Sequence, residues 1–301
     1  MKRRQFMTAL GAAAGGATAS ISVPNWLHAM DPDNRYRQQI GIQLYTLRNE
    51  IKQDVKATLK AVAEAGFYQV EPYGFPNCRP MIEAASEFGL KLNSSHFNSD
   101  SIVNNDTGDD DAFDTVLEKA NDVGLSHLVI PYLPDTFRTS LDDYKRVCEN
   151  CNRAAEKAKD AGIQLSYHNH AFEFKPIGKE EDAEPNCGYE IMINEFSPDM
   201  KFEVDVFWVV VGGEDPAELI NRLGSRVSQL HLKDLNKATK LPSYDGVSVD
   251  AFEEIGDGII DMEPIIEAAE KAGVEHCHIE QDQSPDALAS VQQSIAYLKS
   301  M

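Results

Sequence analysis

The sequence predicts a single-domain α/β fold, a closed (β/α)₈ TIM barrel, on three observations. From Ile40 onward an apolar β-branched run, a polar loop and an amphipathic stretch ending near a glycine alternate eight times. Four of the runs end in side chains able to hold a metal: YHNH at 167–170, FEVDVFW at 202–208, QLHLKD at 229–234 and HIEQD at 278–282. Ligands so far apart in sequence converge only where a closed parallel sheet brings its strand ends to one rim. The first turn, Ile42-Gln43-Leu44-Tyr45-Thr46-Leu47-Arg48, also lacks the glycine-rich phosphate loop expected of the runner-up, a doubly wound open sheet.

The elements follow in order. The first strand-like run, 40–47, leads to a helix over 55–64 closed by Ala65-Gly66, and 68–72 leads to a helix over 79–88 closed by Gly89. Residues 91–96 pass through a polar Asn/Asp loop to a helix over 112–123. The run 126–132 precedes a helix over 141–161, where Gly162 supplies the left-handed residue that ends many helices. The fifth run, 164–168, opens a long connection from 174 to 197 that contains Pro176, Gly178 and Pro185. That connection reads as a loop over the mouth of a site, finished by a short helix at 189–196. Runs 201–208, 227–232 and 276–281, with helices at 215–223, 262–271 and 286–300, complete the eight, joined by right-handed crossovers.

Residues 1–30 stand apart from this pattern. Lys2, Arg3 and Arg4 precede Phe6, Met7 and a Gly/Ala-rich run over 8–23, the profile of a targeting segment. The run falls short of the about 20 strongly apolar residues that a membrane span needs. Paired arginines followed by Gln5-Phe6-Met7 resemble a bacterial twin-arginine signal, which implies export of the folded chain to the periplasm. An uncleaved amphipathic anchor is the alternative, and the barrel domain is 31–301.

The chain has 28 basic and 49 acidic residues, a net charge of −21; without residues 1–30, which hold three basic and no acidic residues, the net charge is −24. That balance excludes nucleic acid as a partner, because a phosphate-binding face needs clustered Lys and Arg. Runs such as Asp109-Asp110-Asp111 and Glu180-Glu181-Asp182 read as solvated surface. Five cysteines, Cys78, Cys148, Cys151, Cys187 and Cys277, are too few for a disulfide scaffold. Cys148 and Cys151 form the one CxxC; it lies in a helical stretch and reads as a surface thiol pair, reduced or oxidised, in preference to a zinc site.

His168, Asp205, His231 and Glu280 are the candidate metal ligands. Imidazole and carboxylate suit one borderline divalent ion, Mn²⁺, Co²⁺ or Zn²⁺; the plainer reading makes each residue a hydrogen-bonded anchor. An ion bound to adjacent sugar oxygens polarises a carbonyl and stabilises the enediolate left when the neighbouring carbon loses its proton. Glu280 is the candidate base as well as a ligand, and Glu71 and His96, ending the second and third runs, are candidates for the opposite-face acid or base. Lys233 shares a strand face with His231 and serves either to hold a substrate oxygen or to pair with Glu203, itself on the face of Asp205. Tyr45, Arg48, His170 and Trp208 are candidate substrate contacts, and Trp208 and Phe207 read either as a sugar platform or as core.

Gly41-Ile42-Gln43-Leu44-Tyr45, Val70-Glu71, Tyr167-His168-Asn169-His170, Glu203-Val204-Asp205-Val206-Phe207-Trp208 with Gly212-Gly213-Glu214-Asp215-Pro216, His231-Leu232-Lys233-Asp234 and Ile279-Glu280-Gln281-Asp282 carry a resemblance in their order and spacing. Together they resemble the xylose isomerase-like TIM-barrel superfamily, which includes sugar phosphate isomerases and epimerases, inosose dehydratases, ketose 3-epimerases and endonuclease IV. The resemblance implies one divalent ion held at the ends of the fifth to eighth strands, often by Glu, Asp, His and Glu. This chain has His168 where Glu is frequent, with Glu173 or His170 as alternative ligands. The implied activity is metal-dependent isomerisation or epimerisation of a sugar or keto-sugar. The alternatives are a 3-keto-glycoside lyase or inosose-type dehydratase on the same site, or a non-catalytic exported carbohydrate-binding barrel. Export and the lack of an Arg/Lys phosphate cluster favour a neutral substrate, and together with charge they disfavour an endonuclease. A homo-oligomer is compatible with this reading.

Overall fold

Eight parallel strands line the barrel in sequence order: β1 (Gly41–Gln43), β2 (Gln69–Glu71), β3 (Lys91–Leu92 and Ser94–His96), β4 (His127–Ile130), β5 (Gln164–His168), β6 (Met200–Asp205), β7 (Val227–Leu232) and β8 (His276–Ile279). The structure is a computed structural model that describes residues 34–105, 111–177 and 186–301. The targeting segment, Gly178, Pro185, the Glu180-Glu181-Asp182 run and Asp109-Asp110 lie outside the described residues. Pro32–Met301 holds together as one unit. Among the described residues no helix is long and apolar enough to cross a membrane.

The β3 strand is broken at Asn93, so the sheet runs through nine segments: Lys91–Leu92 pairs with β2, and Ser94–His96 pairs with β4. At the break Asn93 keeps partners on its carbonyl and its side-chain amide. Its carbonyl accepts the N–H groups of Ser126 and His127, and its side chain donates to Gln69. Between β8 and β1 the pairing of Gly41 with His278 and Ile42 with Ile279 joins the last strand to the first.

Period-two alternation sorts the side chains. Leu230 and Leu232 of β7, Phe202 and Val204 of β6, and Cys277 and Ile279 of β8 are buried beneath the helices, while Gln229, His231, Glu203, Asp205 and His278 occupy the alternate positions and are equally buried. The barrel interior is therefore a polar column.

Two runs end earlier than their apolar composition predicts. After Gln43 the chain turns into Leu44–Leu47, a 3₁₀ turn, and then the helix Arg48–Gln53, with the Gln43 side chain accepting from the Tyr45 N–H. After Asp205 the β-branched segment Val206–Val211 is a helix, because the Asp205 carboxylate accepts from the Trp208 N–H and caps it. Burial of Val206, Phe207, Val209 and Val211 overrides their strand preference. Helices Val55–Glu64, Asp111–Val123, Leu141–Asp160, Pro216–Leu223, Met262–Ala272 and Ala287–Ser300 fall within a residue or so of the expected spans. Asp54, Ser140, Asp215, Asp261 and Asp286 cap five of them.

The CxxC reading needs correction. Cys148 and Cys151 are fully buried and unpaired, on the stripe of Leu141–Asp160 that also buries Val147, Ala154, Ala155 and Ala158. Their spacing is that of a helix face turned to the core, and burial pushes the Cys151 thiol up to about 12.

The long connection after β7 is tied at its root. One Asp234 carboxylate oxygen accepts from the Leu235 and Ile260 N–H groups, and the other accepts from Gly256 and Gly258. A Cβ on Gly258 would stand 2.2 Å from that carboxylate, so glycine is required at the crossing.

Candidate active site

Each of the last four barrel strands delivers one donor to a buried cluster. Side-chain donors of His168, Asp205, His231 and Glu280 lie within 4.8 Å of one another. The sequence reading named these four, and the barrel brings them together.

Local contacts explain how each is aimed. His168 Nδ1 faces the Pro131 carbonyl at 3.2 Å, which fixes the ring and leaves Nε2 directed at Asp205 Oδ2, also 3.2 Å away. Asp205 divides its oxygens: Oδ1 caps the following helix and Oδ2 serves the cluster. His231 Nε2 lies 2.7 Å from Glu71 Oε2, which turns Nδ1 toward Glu280, 2.8 Å away. That last pair lacks hydrogen-bond alignment: His231 Nδ1 is buried without a hydrogen-bond partner, and Glu280 Oε2 has only the Lys233 ammonium beside it. An orphaned imidazole nitrogen crowded against a carboxylate oxygen, each capable of ligation, fits a divalent ion between them.

Charge supports the same fit. Lys233 Nζ lies 3.0 Å from Asp205, 2.8 Å from Glu280 and 3.0 Å from Asp282, so one ammonium faces three carboxylates. A divalent cation would balance the remaining two charges. Burial raises the Asp282 carboxyl to about 6 against the pull of Lys233. Burial opposes ionisation of Asp205 and Glu280 as well, but the Lys233 ammonium outweighs it and holds both below their ordinary values. Lys233 does not pair with Glu203, which corrects one of the two sequence readings; Glu203 pairs with His96 at 2.7 Å and His231 at 3.1 Å.

The candidate acids and bases occupy different depths. Glu280 and His96 keep a slight exposure, 5% and 8%, whereas Glu71 is completely enclosed. Glu71 accepts from Gln43, Ser94, Gln229 and His231. A carboxylate with every lone pair engaged is placed to orient His231, not to reach a substrate carbon. Glu71→Gln is accordingly expected to weaken the binding of a divalent ion by about 10–100-fold, the size of effect such supporting carboxylates have. Titration of the purified variant with Co²⁺ checks this, and unchanged affinity would remove the orienting role.

The alternative fifth-strand ligands stand elsewhere. Glu173 accepts from the Tyr167 hydroxyl and the His170 N–H, and burial raises its carboxyl to about 7. His170 stacks on Phe172 at 5.4 Å and lies 5.2 Å from the Trp208 ring. These three aromatic rings help line a cavity of about 460 Å³ beside the cluster, together with Tyr132, Arg138 and Lys175. Phe207, by contrast, is core, stacked on Phe252. Tyr45 and Arg48 sit together at the β1 end, with Arg48 donating to the Asp282 carbonyl; neither lines the cavity. Sequence reasoning missed Asp282, Arg138, Tyr132 and Phe172. Only Asp282 carried a signal, its i+2 spacing from Glu280.

Residues 59–301 match the family model described as xylose isomerase-like TIM barrel. An inosose dehydratase of Lacticaseibacillus casei is 29% identical over 140 residues, 44% of this chain and 44% of the relative, so the match spans under half the length of that protein. A sugar phosphate isomerase/epimerase structure from Parabacteroides distasonis superposes with a TM-score of 0.72 at 28% identity, covering 87% of this chain and 94% of that one. The 3-keto-D-glucoside 4-epimerase of E. coli shares the fold, with a TM-score of 0.63 at 15% identity over 88% and 100% of the two chains.

Proposed function

The chain belongs to the xylose isomerase-like TIM-barrel family, and we propose that it is an isomerase or epimerase moving a proton beside the carbonyl of a neutral keto-sugar. The observation that carries this reading is the four-donor cluster, which includes Glu280 and has the His96 ring 5.2 Å from those of His168 and His231. A divalent ion held by His168, Asp205, His231 and Glu280 would supply Lewis acidity toward a carbonyl oxygen. Glu280 takes the proton from the adjacent carbon. Burial disfavours the His96 imidazolium, but Glu71 and Glu203 outweigh it and raise its affinity for a proton, so His96 returns a proton as the acid. Lys233 holds the oxygen on which charge develops. Neutrality of the substrate is supported by the cavity rim, where Arg138 is paired with Asp135 and Lys175 with Asp245.

A dehydratase reading has one observation of its own. Asp282, raised to about 6 beside Lys233, is suited to protonate a departing hydroxyl, and the Lacticaseibacillus casei relative is an inosose dehydratase. Incubation with keto-sugars in D₂O separates the readings: deuterium wash-in without a new ultraviolet band supports isomerisation, and an enone band supports elimination. Wash-in and band should both vanish with chelator and return with Mn²⁺ or Co²⁺. A chain that binds sugar yet shows neither would be the carbohydrate-binding alternative. Export of the folded chain through the twin-arginine route is also proposed, on Arg3-Arg4; fractionation after R3K/R4K should find it retained in the cytoplasm, and unchanged periplasmic yield would refute that route.

A further inference from the structure

We propose that the opposite, N-terminal end of the barrel carries a second metal site, made by His127, Glu275 and His276, for a borderline divalent ion such as Zn²⁺, Co²⁺ or Ni²⁺. His127 begins β4 and His276 begins β8, so both stand at the strand starts, whereas the catalytic cluster stands at the strand ends. One donor from each of the three residues lies within 4.8 Å of the other two.

The detailed contacts favour ligation over a hydrogen-bonded triad. His127 Nε2 and Glu275 Oε2 are 3.8 Å apart, too far for a hydrogen bond but a separation that one ion spans with bonds of roughly 2.0–2.2 Å. His127 Nδ1 is engaged by the Ser126 hydroxyl at 2.9 Å, which fixes the ring and assigns Nε2 to the site. The two imidazoles meet edge to face, at 90° with centroids 5.2 Å apart, so they are not stacked on each other. Of the cations near the site, Arg35 is turned to the Val274 carbonyl, and Lys201 acts on His127 from the same end of the barrel.

Access and geometry give the site a role. His127 is buried and His276 half-buried, but the Glu275 side chain is 53% exposed, which leaves an ion a path in and room for water in its remaining positions. In the barrel order β4 and β8 are four strands apart either way round, so they are opposite walls. An ion bridging them ties the barrel across its diameter and stabilises the folded chain in proportion to its occupancy.

The test uses Co²⁺ as the probe on the full chain after chelator treatment. In D205A/E280A, which removes two ligands of the catalytic cluster, one equivalent of Co²⁺ should still bind and raise the thermal midpoint. Adding Glu275→Gln or His276→Ala should weaken that binding at least about tenfold, one lost ligand being worth more than one supporting contact. Should D205A/E280A misfold by circular dichroism, the same substitutions in the otherwise native chain should lower Co²⁺ stoichiometry by one equivalent, whatever the catalytic cluster holds. Absence of the residual equivalent, or stoichiometry indifferent to both floor substitutions, overturns the proposal. Neither outcome bears on proton exchange at the other end of the barrel, so this site and the proposed activity fail separately.

Discussion

His231→Ala is expected to strip the ion from the catalytic cluster and to lower proton exchange on the order of 10³-fold or more. The residue joins two layers of the barrel interior: Nδ1 faces Glu280 at 2.8 Å, and Nε2 faces Glu71 at 2.7 Å and Glu203 at 3.1 Å. Without the imidazole, carboxylates above and below lose the group between them, and the ligand set loses its only nitrogen on β7. Asp205→Ala should have a similar effect on metal and additionally uncap Val206–Val211, whereas Asp205→Asn retains a side-chain oxygen for the cap but lacks the charge. Metal content by mass spectrometry and deuterium wash-in measure the two effects. One ion per chain retained by His231→Ala, with the floor site already deleted, would show that the cluster is not the binding site.

Lys233→Met should destabilise the metal-free protein by about 3–5 kcal/mol, because it removes the ammonium from three buried carboxylates. Burial alone would lower the Lys233 pKa, yet Asp205, Asp282 and Glu280 raise it well above its ordinary value. A raised folded-state pKa means that this stabilisation is complete below the lysine's unfolded pKa and fades only in strongly alkaline solution. Asp282 has the same sign in a lower pH window. Raised to about 6, it contributes most when protonated, below its ordinary value of 3.8, and its contribution is lost as pH rises through about 6. The variant's deficit should therefore be larger at pH 8 than at pH 5, and a saturating divalent ion should recover part of it. Denaturant unfolding in chelator at the two pH values is the measurement; stability within 1 kcal/mol of the parent, a margin below any buried-pair loss, would contradict the charge assignment.

What could be read in advance was whatever one strand or helix encodes locally. Val55–Glu64 matched its expected span because its apolar spacing and its cap, Asp54, lie within a few residues of each other. His168, Asp205, His231 and Glu280 were recognisable because each ends an apolar run and a closed sheet gathers such ends. Strand lengths were overread where apolar composition continues past a cap, as in Val206–Val211, since local composition does not reveal which side chain will satisfy the next turn's N–H groups. Depth was not legible either. Glu71 and His96 end neighbouring strands in the same way, yet four partners from β1, β3 and β7 immobilise Glu71 while His96 keeps a slight exposure. Nor does a CxxC spacing state which side of its helix faces the core, and the buried Cys148 and Cys151 show the cost of reading it as surface.

Asp234 fastens both the departure and the return of the excursion after β7, holding Leu235, Gly256, Gly258 and Ile260 from one carboxylate. The excursion thereby behaves as an exchangeable cartridge in a fixed socket. Its middle contributes Tyr244, Asp245 and Gly246 to the cavity wall, and none of these residues supports the ligand cluster. Sequence change there can redraw the shape and polarity offered to a substrate while the chemistry at the strand ends stays in register. Specificity in this barrel can accordingly drift by insertion or replacement within one clasped segment, and a grafted segment that preserves Asp234 and Gly258 is the economical way to retarget it.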